Sequence, residues 1–358
     1  NLEKVIINSD IKECRINGTG FADCKKLKSI ELPASLEKIE SNSNFYFENV
    51  SKDFKFILDS KNSFFSVSTD GKMLTSKDGK TLYAWIGASG DITVPDGLTA
   101  IGNNFFSNNK NITSVIIPDS VESVSDNAFV NCTNLTSVVF PKKLKSGEFY
   151  SEYHDSTFEN EYISLNFSGC ENLTSVILPT NITFVDFSGC KKIEKLVLPA
   201  SSTGVSVKEC ANLKSIEFEN GVKDLAFSYN SFKGCANLEL IKFPASLEFI
   251  GFKNDKHPVC FPSLCDSPKL KFEVDSNNEN FSTADNGKML TSKDGKTLYA
   301  WAGLSGDVTI PKNISIIENS SSIIEGYDIK TLTIPEHVEF LGGYSFANGN
   351  IEKLKEYF

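Results

Sequence analysis

The sequence has 358 residues, of which 40% are hydrophobic and 23% are charged, a composition typical of soluble globular proteins. It carries 36 basic and 46 acidic residues, a net charge of −10, which argues against nucleic acid or anionic lipid as the main partner. Arg15 is the single arginine, three histidines leave little material for a metal or catalytic site, and no apolar stretch reaches the length of a transmembrane helix. Because the chain begins at Asn1 without a signal-like stretch, we expect a mature or trimmed form.

An internal repeat runs along most of the chain, with the pattern F-x-x-C-x-x-L-x-x-[IV]-x-[LF]-P. Full copies begin at Phe21, Phe129, Phe167, Phe187 and Phe232, and partial copies cover 112–118, 210–218 and 332–335. The unit around Cys265 departs from the pattern, because Leu270 follows the cysteine by five residues instead of three. We expect the register of the repeat to be lost there.

Each copy predicts one short strand and one turn of a stacked structure. Val138 and Phe140 lie two residues apart, which places both on one face of a strand, and Pro141 ends it. A second apolar pair, such as Val121 and Val124, precedes the next copy. One unit cannot bury this surface alone, whereas stacked units share a core. We therefore predict a right-handed solenoid over 1–358 as a single domain, with a parallel β-ladder, short irregular or helical convex segments and about 14 coils.

A longer duplication lies over this repeat. The fifteen residues from Gly71 to Trp85 recur identically from Gly287 to Trp301, within related sub-modules at about 21–125 and 232–342. Asp78-Gly79 and its copy Asp294-Gly295 separate strand-like runs, which is a strong hairpin signal. We predict hairpin insertions at 71–86 and 287–302.

The repeat resembles that of the BspA-like, or treponemal-type, leucine-rich repeat family. The segment from Pro118 to Pro141 shows the likeness best, and the D-G-K-T-L hairpin resembles an insertion common between such repeats. The resemblance implies a leucine-rich repeat solenoid. It also implies a bacterial cell-surface or secreted protein of the adhesin type, with a host matrix protein or another cell surface as partner.

Six of the nine cysteines occupy one repeat position: Cys24, Cys132, Cys170, Cys190, Cys210 and Cys235. Equivalent Cβ atoms in stacked coils lie about 4.8 Å apart, beyond the separation that a disulfide prefers, so we expect a column of buried thiols. Cys14, Cys260 and Cys265 are freer to pair, with Cys260–Cys265 as the plausible local bridge.

Sequence motifs for catalysis or metal binding are weak throughout the chain. His257, Cys260 and Cys265 lack the second half of a zinc site, and no nucleophile elbow or H-E-x-x-H motif is present. We expect no enzyme activity, no metal and no cofactor.

The outward residue of each predicted strand gives the first binding candidate. Successive recognisable middle units carry Ile116, Val139, Ile177 and Val197 at this position. An exposed apolar stripe on a solenoid marks a partner site, although β propensity alone also explains it. The 148–162 insertion adds Tyr150, Tyr153 and Tyr162 as contact candidates, or as core residues of a degenerate coil.

Two functions follow as hypotheses. The first is a non-enzymatic, extracellular or cell-surface protein that binds a protein partner through the concave strand face. The alternative is a glycan-binding surface module that uses exposed aromatics, above all Trp85 and Trp301, although both rings are also suited to packing their hairpins onto the coil.

Overall fold

The structure is a computed structural model that describes residues 1–21, 23–40, 47, 50–102, 105–145, 163–228, 230–251, 261–264, 266–318, 327–342 and 350–356. It divides into two compact units, Asn1–Ile182 and Thr183–Phe358. Tyr150, Tyr153, Tyr162, Cys260 and Cys265 lie outside the described residues, as does the whole 148–162 insertion.

The first unit consists almost entirely of short strands and turns, with one 3-10 turn at Gly18–Phe21. Its strands are β1 (Lys4–Ile6), β2 (Glu13–Cys14), β3 (Ser29–Leu32), β4 (Lys38–Ile39), β5 (Lys55–Leu58), β6 (Phe65–Val67), β7 (Met73–Ser76), β8 (Thr81–Trp85), β9 (Gly90–Thr93), β10 (Ala100–Ile101), β11 (Ile112–Ile116), β12 (Ser123–Val124), β13 (Ser137–Val139), β14 (Ser164–Asn166) and β15 (Ser175–Ile177).

The second unit has the same character, with one 3-10 turn at Asp285–Gly287. Its strands are β16 (Phe184–Asp186), β17 (Lys195–Leu198), β18 (Gly204–Ser206), β19 (Ser215–Phe218), β20 (Asp224–Leu225), β21 (Leu240–Phe243), β22 (Phe249–Ile250), β23 (Lys271–Val274), β24 (Phe281–Ala284), β25 (Met289–Ser292), β26 (Thr297–Trp301), β27 (Gly306–Thr309), β28 (Ile316–Ile317), β29 (Asp328–Ile334), β30 (Phe340–Leu341) and β31 (Asn350–Glu356).

Parallel ladders connect equivalent strands of successive repeats. In the first unit the ladders run β1-β3-β5 and β9-β11-β13-β15, and in the second unit β17-β19-β21-β23 and β27-β29-β31. The predicted leucine-rich repeat solenoid with parallel ladders is confirmed. The solenoid has about 12 turns, slightly fewer than the fourteen expected.

The second apolar pair of each repeat also forms ladder strands, so helical convex segments are almost absent from the described chain. Short strands pair parallel in β2-β4, β10-β12 and β20-β22. Two or three residues suffice for such a strand because each contributes one buried side chain, such as Ile39 or Val124.

Antiparallel strands interrupt each unit at the duplicated segment. In the first unit β6, β7 and β8 pair antiparallel in sequence order, and β8 then pairs parallel with β10. The second unit repeats the arrangement with β24, β25, β26 and β28. In the β7–β8 turn, the Asp78 carboxylate accepts hydrogen bonds from the Ser76 hydroxyl at 2.6 Å and the Lys80 amide at 3.1 Å, which hold its pKa below the ordinary value. Gly79 takes the left-handed conformation that this turn needs.

Rows of phenylalanine and leucine fill the core of each unit. In the first unit the rings of Phe106, Phe129 and Phe167 stack in sequence, with centroid separations of 5.3 and 5.6 Å. In the second unit Phe218 and Phe243 stack at 5.9 Å. The repeat therefore specifies the core because each phenylalanine packs on its equivalent in the next coil.

Five of the six cysteines at the repeat position are buried, as the sequence predicts, whereas Cys24 is half-buried, and the described cysteines are free thiols. Several of these thiols donate a hydrogen bond to a backbone carbonyl of the preceding coil. The distance is 2.9 Å from Cys132 to Phe106 O and 3.0 Å from Cys170 to Phe129 O. The same bond recurs in the second unit, where Cys210 and Cys235 donate to Phe187 O and Val207 O.

The expected loss of register near Cys265 is wrong. Ser267 occupies the cysteine position, three residues before Leu270, and its buried hydroxyl donates to Cys235 O at 2.9 Å. The Leu270 amide bonds to Ser267 O just as the Leu238 amide bonds to Cys235 O. A serine keeps the coil in register because it supplies the same kind of short donor.

Candidate binding faces of the strand ladders

The outward column of β11, β13 and β15 forms an apolar surface in the first unit. Strand register aligns Ile116 with Val139 and Val139 with Ile177. Ile116 is 47% exposed, Ile177 is 61% exposed and Val139 is half-buried. Their neighbours Val115 and Val138 are buried, as alternation along a strand requires. We call Ile116, Val139 and Ile177 the apolar face.

The remaining positions of these three strands are apolar or carry hydroxyl groups, and none is charged. The Asp91 carboxylate beside them accepts hydrogen bonds from the Ser114 hydroxyl at 2.6 Å and the Thr113 hydroxyl at 2.7 Å, and these bonds lower its pKa. The hydroxyls of Thr136 and Thr174 donate to backbone carbonyls of the neighbouring coils. The apolar face is therefore bordered by polar groups that already have partners.

The equivalent column of the second unit is charged. Register aligns Val197 with Glu217, Glu217 with Lys242 and Lys242 with Glu273. The Glu217 carboxylate lies 3.1 Å from the Lys242 ammonium and 3.6 Å from that of Lys195, and the hydrogen bond from Lys242 is the main cause of its lowered pKa. Val197 is 43% exposed, but its neighbour along the column is this ion-pair cluster. Of the four predicted stripe residues, three therefore share one ladder and Val197 begins a charged one.

The two tryptophans do not form a pair of exposed platforms. Trp85 is half-buried and lies opposite Met73 in its hairpin. Trp301 is only 8% exposed, opposite Met289, and its carbonyl accepts a hydrogen bond from the Tyr327 hydroxyl at 3.3 Å. A sugar ring cannot stack on Trp301 without displacing its neighbours. The role of this side chain is therefore to pack the hairpin onto the core.

A cleft that the sequence reasoning missed lies between β5 and β6 in the first unit. Its volume is about 400 Å³, and Lys55, Ile57, Asp59, Ser66 and Lys77 contribute to its lining. The ladder of β1, β3 and β5 ends here, immediately before the hairpin. The interruption of the repeat by the duplicated segment was the signal in the sequence that could have pointed to it.

No cluster of three or more His, Cys, Asp or Glu side chains suited to a metal ion occurs among the described residues. In the same part of the chain, no helix has the length and apolar character required to cross a bilayer.

Comparison with known proteins identifies the repeat. The model of the BspA type leucine rich repeat region matches residues 1–69, 84–165, 152–254 and 290–355, with 6 copies. No curated protein matches the chain.

Several solved structures are similar to this chain. A leucine-rich cell surface protein from Faecalibacterium prausnitzii is 22% identical over 83% of this chain and 76% of its own, with a TM-score of 0.51. A leucine-rich repeat protein from Eubacterium ventriosum is 20% identical over 63% of this chain and 57% of its own, with a TM-score of 0.48. The leucine-rich repeat protein of T. pallidum is 22% identical over 52% of this chain and 80% of its own, with a TM-score of 0.37.

Proposed function

Because the chain belongs to the BspA-type leucine-rich repeat family, we propose that it is a non-enzymatic binding protein, secreted or held at the cell surface, that recognises a protein partner in the manner of an adhesin. The cell-surface protein from Faecalibacterium prausnitzii, which shares the fold, supports this location. The partner is a protein of the host extracellular matrix or of another cell surface.

The apolar face is the observation that carries the proposal. Ile116, Val139 and Ile177 follow one another in strand register, and the strands that carry them have no charged residue. Exposed apolar residues in a contiguous row mark interaction sites, whereas single exposed apolar residues are ordinary. A protein partner can cover this row without leaving a charge unpaired, which keeps the desolvation cost low.

The proposal includes other candidate contact residues. Tyr150, Tyr153 and Tyr162 of the 148–162 insertion add aromatic contacts, which are efficient in recognition because each ring offers a large area at little entropic cost. Val197 contributes in the second unit, where the surrounding column favours polar contacts.

Binding of the protein to immobilised targets tests the proposal. The purified chain is applied in parallel to an array of extracellular matrix proteins and to an array of glycans. We expect saturable binding to one or more proteins and none to glycans. Binding to glycans alone, abolished by Trp85→Ala, contradicts the proposal and favours the glycan-binding module.

A further inference from the structure

Two strand edges border the cleft between β5 and β6. In the described part of the first unit, β5 is the last strand of the ladder β1-β3-β5, and β6 is the end strand of the sheet β12-β10-β8-β7-β6. A backbone hydrogen bond joins the two sides, from the Phe56 amide to Gly71 O at 2.9 Å. The Lys77 ammonium also donates to Asn62 O at 3.5 Å. The two edges enclose the cleft of about 400 Å³.

The direction of the backbone bonds shows that polar groups of both edges face the cleft. The amides of Lys55 and Asp59 bond to Lys28 O and Leu32 O, each at 3.0 Å. The backbone amide and carbonyl groups of alternate residues of β5 therefore point towards β3. Leu58 lies between two such positions and its amide and carbonyl point the other way. After β6, the Ser68 amide bonds to Met73 O at 3.0 Å. The backbone amide and carbonyl of the preceding residue, Val67, therefore point away from β7. Leu58 and Val67 both line the cleft.

An edge of this kind recognises extended peptide backbone. Amides and carbonyls that point out of a sheet are satisfied when another chain adds a strand, and the neighbouring side chains decide which chain is accepted. The volume of the cleft is within the range of sites for small ligands, so it holds a few residues of an extended segment.

The charge of the lining favours an acidic segment. Lys55 and Lys77 lie on the two sides of the cleft and Asp59 is the single carboxylate among its lining residues. Ile57, on the same face of β5 as Lys55, is exposed and offers an apolar contact.

The duplicated copy in the second unit provides an internal comparison. The equivalents of Lys55 and Lys77 are Lys271 and Lys293, but those of Ile57 and Thr69 are Glu273 and Asp285. With Asp275 in the place of Asp59, the copy has three carboxylates where the first unit has one. The two copies thus differ in charge, whereas they share the antiparallel pairing of the strands that follow.

We propose that the cleft between β5 and β6 binds an extended acidic peptide segment of a partner protein by strand addition to the edge of β5, with β6 as the opposite wall of the cleft. This site is separate from the apolar face and shares with the proposed function only that its ligand is a polypeptide. Isolated peptides therefore test it without reference to binding at the apolar face.

The test uses a short peptide of alternating valine and glutamate, its valine–lysine analogue, and the acidic peptide with alternate backbone amides N-methylated. Titration of the full chain gives affinities, and hydrogen exchange locates the contact. We expect the acidic peptide to bind and to protect the amides of Leu58 and Val67. We expect the other two peptides to bind at least about tenfold more weakly.

Substitutions at equivalent positions supply the matched control. Ile57→Glu copies the residue found at position 273, so the fold accepts it, and together with Lys77→Glu it should weaken the acidic peptide at least about tenfold. Lys293→Glu in the second unit should leave the affinity unchanged. Absence of protection at millimolar peptide, equal binding of the N-methylated peptide, or protection confined to β11, β13 and β15 would each overturn the proposal.

Discussion

A hydrogen-bond donor at one repeat position links several coils to the coil before them. Cys132 and Cys235 donate through sulfur to backbone carbonyls, and Asn109 donates from the same repeat position to Ala88 O at 3.1 Å. Buried carbonyls that lack a partner are costly, so this position needs a small side chain with a donor. A thiol satisfies both requirements and also packs as an apolar group.

Burial of these thiols should make the free energy of unfolding fall as the pH rises above 9. Desolvation raises the pKa of the Cys235 thiol from its ordinary 9.0 to about 12. Above pH 9 the unfolded chain loses this proton before the folded chain does, so the stabilisation is complete below pH 9 and is lost as the pH rises towards 12.

Cys235→Ser removes this titration and keeps a donor for Val207 O. We expect the free energy of unfolding of the unsubstituted protein to fall between pH 9 and 12 by up to about 1.4 kcal/mol per pH unit more steeply than that of the variant. Urea unfolding at a series of pH values measures both slopes. Identical slopes would show that the thiol titrates normally in the folded chain.

Buried asparagines fix the chain before each hairpin. The Asn62 amide group donates to Pro33 O and Leu36 O at 2.9 Å each, and its oxygen accepts from the Phe64 and Phe65 amides at 2.9 Å each. Asn278 makes the equivalent bonds in the second unit.

Asn62→Ala leaves several of these buried groups without a partner, so we expect a loss of about 3 kcal/mol in the free energy of unfolding. Asn278→Ala should cost a similar amount, because its bonds are the same. Thermal unfolding of both variants measures the loss. As a control, Asn134→Ala removes an exposed bond to Lys110 O and another from the Asn172 amide group, and should change stability little because both groups remain open to water. A change of similar size in all three variants would contradict this account.

At the scale of single strands, alternation was the part of the structure that the sequence predicted well. Val138 is buried and Ile177 is exposed because side chains of one strand point to opposite faces in turn. The second ladder was harder to foresee, since strands such as Lys38–Ile39 have two residues and almost no periodicity. The positions of Asn109 and Ser267 were missed for a different reason: a search for cysteine does not find other residues that supply the same donor.

Close stacking of coils leaves no room for a side chain at Gly204 in β18. A Cβ atom there would lie 2.5 Å from Ala226 O in the next coil. Gly204→Ala should therefore shift the backbone and lower the free energy of unfolding by about 2 kcal/mol. Gly20→Ala is the control, because a Cβ at Gly20 meets nothing within 4 Å. Urea unfolding of the two variants tests this, and equal stabilities would mean that the coils can separate at no cost.

At the scale of the whole chain, the net charge of −10 is unevenly distributed over the strand faces. Strands β11, β13 and β15 have no charged residues, whereas β17, β19, β21 and β23 each have at least one. The sequence predicted the apolar residues of the first set from the strand period. It did not predict the cleft, because the edges of β5 and β6 come together only after the hairpin folds.

The dependence of binding on salt concentration should distinguish the two proposed sites. Screening weakens attraction between exposed charges, so the acidic peptide should bind the cleft less tightly as sodium chloride is raised from low to molar concentration. Binding of a protein at the apolar face should change little over the same range, because that face has no charges to screen. Titrations at several salt concentrations measure both responses. Equal salt dependence would show that the two ligands share one site.

The most direct test of the proposed function is the affinity of the chain for a matrix protein identified on the array, before and after charges are placed on the apolar face. Ile116→Asp with Ile177→Asp uses the two most exposed residues of that face, so the fold should persist. Thr309→Asp places one carboxylate at the exposed outward position of β27 in the second unit and is the control. We predict that the double variant loses binding by at least about a hundredfold while the control binds as the unsubstituted protein does. Undiminished binding by a folded double variant would contradict the account.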